Sequence, residues 1–86
     1  MNISPDGVAI TKRFFLAIDV LIMQKKLRGL NTFTTKHGIN YWNLCTLRKD
    51  PRVRVLKPEY LSYIVDDFSV SPAWLLTGVG SMFDNQ

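Results

Sequence analysis

Apolar positions recur along the chain at helical spacing. Ile10, Phe14, Ile18 and Leu21 follow one another at intervals of four and three, and Phe15, Ile22 and Met23 widen the stripe. That is the pattern of an amphipathic helix. It predicts a first helix over about 9–27, with Lys25-Lys26 near its C-terminal end and Gly29 as its stop. Ser4-Pro5-Asp6-Gly7 reads as turn chemistry, so residues 1–8 are expected to be a lead-in, with Asp6 available as a cap. Asn31 or Thr32 can cap a second helix reaching about His37.

The next stretch, HGINYWNLCTLRK, turns a corner. Gly38 suits a left-handed turn residue, Ile39 a buried plug and Asn40 a helix cap. A third helix then runs from about Tyr41. Its Leu44 and Leu47 are three apart and share one face. Tyr41, Trp42, Cys45, Thr46 and Lys49 are expected on the other face, and Asn43 borders the buried one. Asp50-Pro51 stops the helix. Arg52-Val53-Arg54-Val55 alternates basic and apolar without a partner strand and reads as an extended loop. Pro58 fits the first position of a fourth helix, with Leu61, Ile64, Val65 and Phe68 on its apolar face. Ser71-Pro72 opens a short fifth helix that Thr77-Gly78 closes. The expected fold class is all-α: a compact bundle of about five short helices with a helix-turn-helix. The domain spans 9–78, and residues 79–86 form a tail whose Met82-Phe83 pair either returns to the core or stays outside it.

Composition narrows the picture. The 86 residues are 47% hydrophobic with five phenylalanines, enough for one folded domain with a single core. No apolar run reaches the roughly 18–20 residues of a membrane span. The longest candidate, 14–23, is interrupted by Asp19. MNISPDG lacks the basic and apolar regions of a secretory signal. One cysteine allows no internal disulfide and fits a reducing, cytoplasmic setting.

The net charge of +4 is unevenly placed. Segment 28–57 holds Arg28, Lys36, Arg48, Lys49, Arg52, Arg54 and Lys57 against Asp50 alone, a net +6. Segment 58–86 has no basic residue and a net −4, and segment 1–27 carries +2. Positive charge therefore centres on the expected helix-turn-helix, where it would attract a polyanion such as double-stranded DNA. Tyr41, Trp42, Asn43, Thr46 and Lys49 are the candidate base contacts. Asparagine can pair with adenine, lysine can reach guanine, and threonine and aromatic faces can meet a thymine methyl. Arg28, Lys36, Arg48, Arg52, Arg54 and Lys57 are the candidate phosphate contacts, which position a protein without reading sequence.

Other chemistry finds little support. His37 lacks cysteine, histidine or aspartate partners at metal-ligand spacing, and is expected to pack or to bond a phosphate. Cys45 reads as a plain small residue, and Asp66-Asp67 as a solvated face. Gly78 and Gly80 lack the basic residue and following helix of a phosphate loop. No catalytic constellation, cofactor motif or small-molecule site emerges, so an enzyme is not expected.

The order of a long first helix, a corner at HGIN, a fourth helix and then VSPAWLLTGVGSMF resembles the phage-repressor-like DNA-binding domains of the lambda-repressor-like superfamily. The likeness covers about residues 10–83. It implies that the third helix reads the major groove, and that the chain is a transcriptional regulator of phage or mobile-element repressor type. Such domains commonly place a glutamine in the first turn of the second helix to meet DNA. Asn31 is the nearest substitute here and joins the phosphate-contact set by resemblance. Thr34 and His37 stand where the family has small and aliphatic residues, and Tyr41-Trp42 makes the third helix more aromatic than usual. Members often dimerise, and the 74–83 segment is the candidate self-contact. The competing reading is a protein-interaction module that docks a partner through Trp74, Met82 and Phe83.

Overall fold

The computed structural model describes residues 3–84. It contains five helices: α1 (Pro5–Met23), α2 (Leu30–His37), α3 (Tyr41–Lys49), α4 (Pro58–Phe68) and α5 (Pro72–Thr77). Among the described residues no strand forms, and the sole β-type contact is an isolated antiparallel bridge between Val70 and Phe83. The all-α fold expected from the pattern is the fold observed. No helix among the described residues is long and apolar enough to cross a membrane.

α1 starts earlier and stops sooner than its periodicity suggests. The Ser4 hydroxyl, not Asp6, accepts from the Gly7 N–H at 3.1 Å, and Pro5 takes the first helical position. Half of the expected lead-in, residues 5–8, is thus helix, while residues 1–2 lie outside the described residues. At the other end Lys25 adopts φ 62°, with its N–H on the Ile22 carbonyl and the Lys26 N–H on the Leu21 carbonyl. This is a Schellman closure with lysine in the left-handed place that glycine usually takes. Gly29, expected to end α1, is instead the extended N-cap of α2, so neither Asn31 nor Thr32 caps it. The buried stripe of α1 is Val8, Thr11, Phe14, Phe15, Ala17, Ile18 and Leu21. Ile10 and Ile22 are half-buried, and Met23 is exposed.

α2 closes by the same device, now with glycine. Gly38 sits at φ 65°, and the Ile39 N–H reaches the Thr34 carbonyl at 2.9 Å. The Asn40 side chain then accepts from the Asn43 N–H at 2.9 Å and starts α3. Two short helices thus meet across three residues, and α2 packs on α3. α1 lies against α3 and α5, and α4 against α5. Phe14, Ile18, Leu21, Phe33, Leu44, Ile64, Val70 and Leu75 fill the centre. Each buried side chain of this size stabilises the fold by about 1.5–3 kcal/mol relative to exposure.

The C-terminal segment returns to the core. The Ser71 N–H donates to the Met82 carbonyl at 2.8 Å, and the Asp84 N–H to the Ser69 carbonyl at 2.9 Å. Phe83 is buried and bridges to Val70. The part of the expected tail within 79–84 is therefore pinned to the bundle, and residues 85–86 lie outside the described residues. Arg13 ties α1 to α5 from below: its Nε donates to the Leu75 carbonyl at 2.8 Å and its Nη2 to the Leu76 carbonyl at 3.0 Å. Those carbonyls belong to the last turn of α5, which has no partners of its own for them.

Candidate functional site

α3 divides into a buried side and an outward ridge. Leu44 and Leu47 are each 2% exposed and hold the helix to the core. Trp42 is 74% exposed, and Asn43, Thr46 and Lys49 are also exposed. Positions 42, 46 and 49 are four and three apart, so they form one ridge along the helix, with Asn43 beside it. The Thr46 hydroxyl donates to the Trp42 carbonyl at 2.9 Å. No residue of α3 carries a negative charge, and Arg48 and Lys49 occupy its last turn.

Tyr41 departs from the sequence reading. It was expected on the outward face, but it is half-buried against the core, and so is Cys45 one turn later. The hydrogen bond and the charge interaction with Cys45 hold the Tyr41 phenol above its ordinary pKa, with a smaller contribution from burial. The Tyr41 ring meets Trp42 edge-on, with centroids 5.1 Å apart and planes at 78°. Tyr41 thus braces the exposed indole.

The basic residues separate into engaged and available groups. Arg48 turns toward α1, where it pairs with Asp19 and lies over the Phe15 ring at 5.8 Å. Lys36 pairs with Asp67 at 3.1 Å. Arg28, Lys49, Arg52, Arg54 and Lys57 are exposed and form no ion pair among the described residues. The loop after α3 begins with Asp50-Pro51, where the Asp50 side chain accepts from the Arg52 N–H at 3.0 Å and its carbonyl from the Val53 N–H at 3.0 Å. Buried Leu56 anchors its far end. The loop brings Arg54 and Lys57 to a small hollow beside α3 that Asn43 and Tyr60 also line. Arg52 points elsewhere, to a shallow depression with Lys12, Pro5 and Val8. Lys12 and Tyr60 were not singled out from the sequence. Their positions depend on how α1 and α4 lie against the loop, which spacing along one helix does not encode. Asn31 is exposed near the start of α2, and its carbonyl accepts the hydroxyl of the buried Thr34 at 3.0 Å.

His37 and Asp67 were expected to act separately, the latter on a solvated face. They form a clamp between α2 and α4 instead. His37 Nε2 donates to Asp67 Oδ2 at 2.7 Å, and its ring stacks on Tyr63 at 4.0 Å with planes 4° apart. Partial burial pushes the Asp67 carboxyl up, but the hydrogen bonds from His37 and Lys36 together outweigh it and leave the carboxyl below the ordinary aspartate range. The clamp holds the last residue of α2, directly before the Gly38 corner that leads into α3. Among the described residues no group of three metal-ligating side chains comes together. Comparison with family models, with curated proteins and with solved structures returned no match.

Proposed function

We propose that the chain is a sequence-specific, double-stranded DNA-binding transcriptional regulator of phage or mobile-element repressor type, acting in the cytoplasm with α3 in the major groove. The observation that carries this reading is the ridge of Trp42, Thr46 and Lys49, with Asn43 beside it, on a helix that has no acidic residue and lies next to Arg54 and Lys57. An α-helix is about 10–12 Å across with its side chains, which matches a groove about 12 Å wide, and the nine residues of α3 make a rod about 13 Å long. The span from Trp42 to Lys49 would cover about three base-pair steps.

The interaction-module reading loses its chosen surface, since Trp74 and Phe83 are buried and Met82 is half-buried. A homodimer through the 74–83 segment would rest on Leu76 and Val79, the exposed apolar residues there. The test is binding to mixed genomic duplex at low salt, followed by selection from a random pool. Trp42→Ala and Lys49→Ala are expected to change the preferred sequence. Arg54→Ala should weaken all duplexes alike and lower the salt slope by about one unit, whereas Arg48→Ala, already paired with Asp19, should leave that slope unchanged. No binding at low salt, or an unaltered preference in the two α3 variants, would refute the assignment.

A further inference from the structure

We infer that Trp42 and Thr46 together form an apolar reader of 5-methyl groups, so that the bound site carries thymine opposite this ridge. The inference rests on the major-groove reading of α3 and adds the chemistry it recognises. Threonine has two ways to meet a base edge, through its hydroxyl or through its methyl. In α3 the Thr46 hydroxyl proton is engaged, since it donates to the Trp42 carbonyl at 2.9 Å. The hydroxyl can then meet a base only as an acceptor, and the exposed side chain otherwise offers its methyl. One turn earlier lies Trp42, 74% exposed, its ring held edge-on by the half-buried Tyr41. Residues four apart on a helix are neighbours, so methyl and indole share one face of α3, with Asn43 beside them and Lys49 one turn further on. Among the groups that base pairs present in the major groove, the apolar one is the thymine methyl. The polar edges fall to Asn43 and Lys49.

The experiment uses the duplex selected from a random pool and replaces each thymine in turn by deoxyuridine, which removes the methyl and nothing else. At one or two adjacent positions affinity should fall about fourfold, the effect of one buried methyl-sized group. Thr46→Val, which keeps the methyl and loses the hydroxyl at an exposed position, should bind within about twofold of the parent. Thr46→Ser, which keeps the hydroxyl, should bind about fourfold more weakly and cease to distinguish thymine from uracil at that position. Trp42→Ala should flatten the same discrimination, and circular dichroism should show all three variants folded. Equal affinity for every uracil-substituted duplex, a selected site without thymine, or loss in Thr46→Val with retention in Thr46→Ser would overturn the inference while leaving DNA binding intact. Absence of binding to any duplex would overturn the reading of α3 and this inference with it.

Discussion

Replacing Asp67 by alanine removes the carboxylate that joins α2 to α4 and leaves the His37 N–H facing a half-buried gap. The His37–Asp67 contact is 2.7 Å, the length of a charge-assisted bond, and the two side chains are 13% and 14% exposed. A hydrogen bond to a charged group in such a place contributes about 1.5–3 kcal/mol. Lys36 is 62% exposed, so its pairing with the same carboxylate adds about 0–1 kcal/mol once solvent screening is allowed for. The stacking of His37 on Tyr63 survives the change. Asp67→Ala should therefore destabilise the fold by about 2–3 kcal/mol. For a chain of this size that is roughly 10–20 °C in Tm. Urea titration followed by circular dichroism measures the first, and thermal melting the second. Lys36→Ala should lose less than about 1 kcal/mol. The pH profile supplies a second reading. The folded carboxyl titrates below its unfolded value, so its contribution is present above about pH 4 and is lost as pH falls through the folded value. The stability of the variant should fall less steeply than that of the parent in this acid range. A loss below about 0.5 kcal/mol in Asp67→Ala, or an equal loss in Lys36→Ala, would refute the clamp.

Arg13→Met keeps the length of the side chain and removes both donors to the end of α5. It should destabilise by about 2 kcal/mol, and Arg13→Lys should not restore it, because one ammonium cannot reproduce the fork that spans the Leu75 and Leu76 carbonyls. Thermal melting of both variants decides this. Gly38→Ala meets nothing within 4 Å of the new Cβ, so its cost is the backbone strain at φ 65° alone, about 1–2 kcal/mol by the same assay.

The end of the second helix and the starts of the third, fourth and fifth were legible because local residues mark them. Gly38 then Asn40, Pro58, and Ser71-Pro72 mark boundaries that the observed elements share. The first helix was misplaced at both ends for reasons that lie in the residues. Ser4-Pro5-Asp6 serves a turn and a helix start equally well, and Gly7 tipped the reading toward a turn. Lys25 takes a left-handed conformation without the glycine that would advertise it. Tyr41 was misjudged although its position was readable. A helical period places residues 41, 44, 45 and 48 together, so the spacing pointed inward, and setting Tyr41 opposite Leu44 and Leu47 overlooked it. The ties of Arg13 to α5, Arg48 to Asp19 and His37 to Asp67 join residues 62, 29 and 30 positions apart. They depend on how whole helices cross, which no local spacing contains.

Those distant ties decide which part of the charge pattern faces outward. Segment 28–57 has a net +6 in the sequence, but folding answers two of its cations with carboxylates from elsewhere: Asp19 of α1 meets Arg48, and Asp67 of α4 meets Lys36. The unpaired cations near α3 are then Lys49 on the helix and Arg54 and Lys57 beside it, a narrower field centred on the outward ridge. Within that field stand three exposed apolar residues, Trp42, Val53 and Val55. Folding does not account for them: beyond its edge contact with Tyr41, the Trp42 ring buries little. Exposed apolar groups carry a solubility cost when they cluster, and here they are interleaved with cations along the chain. A surface that combines exposed apolar groups with unpaired positive charge suits a partner that is anionic along its length and apolar at discrete points. Under the proposed function that partner is duplex DNA, through its phosphate backbone and thymine methyls.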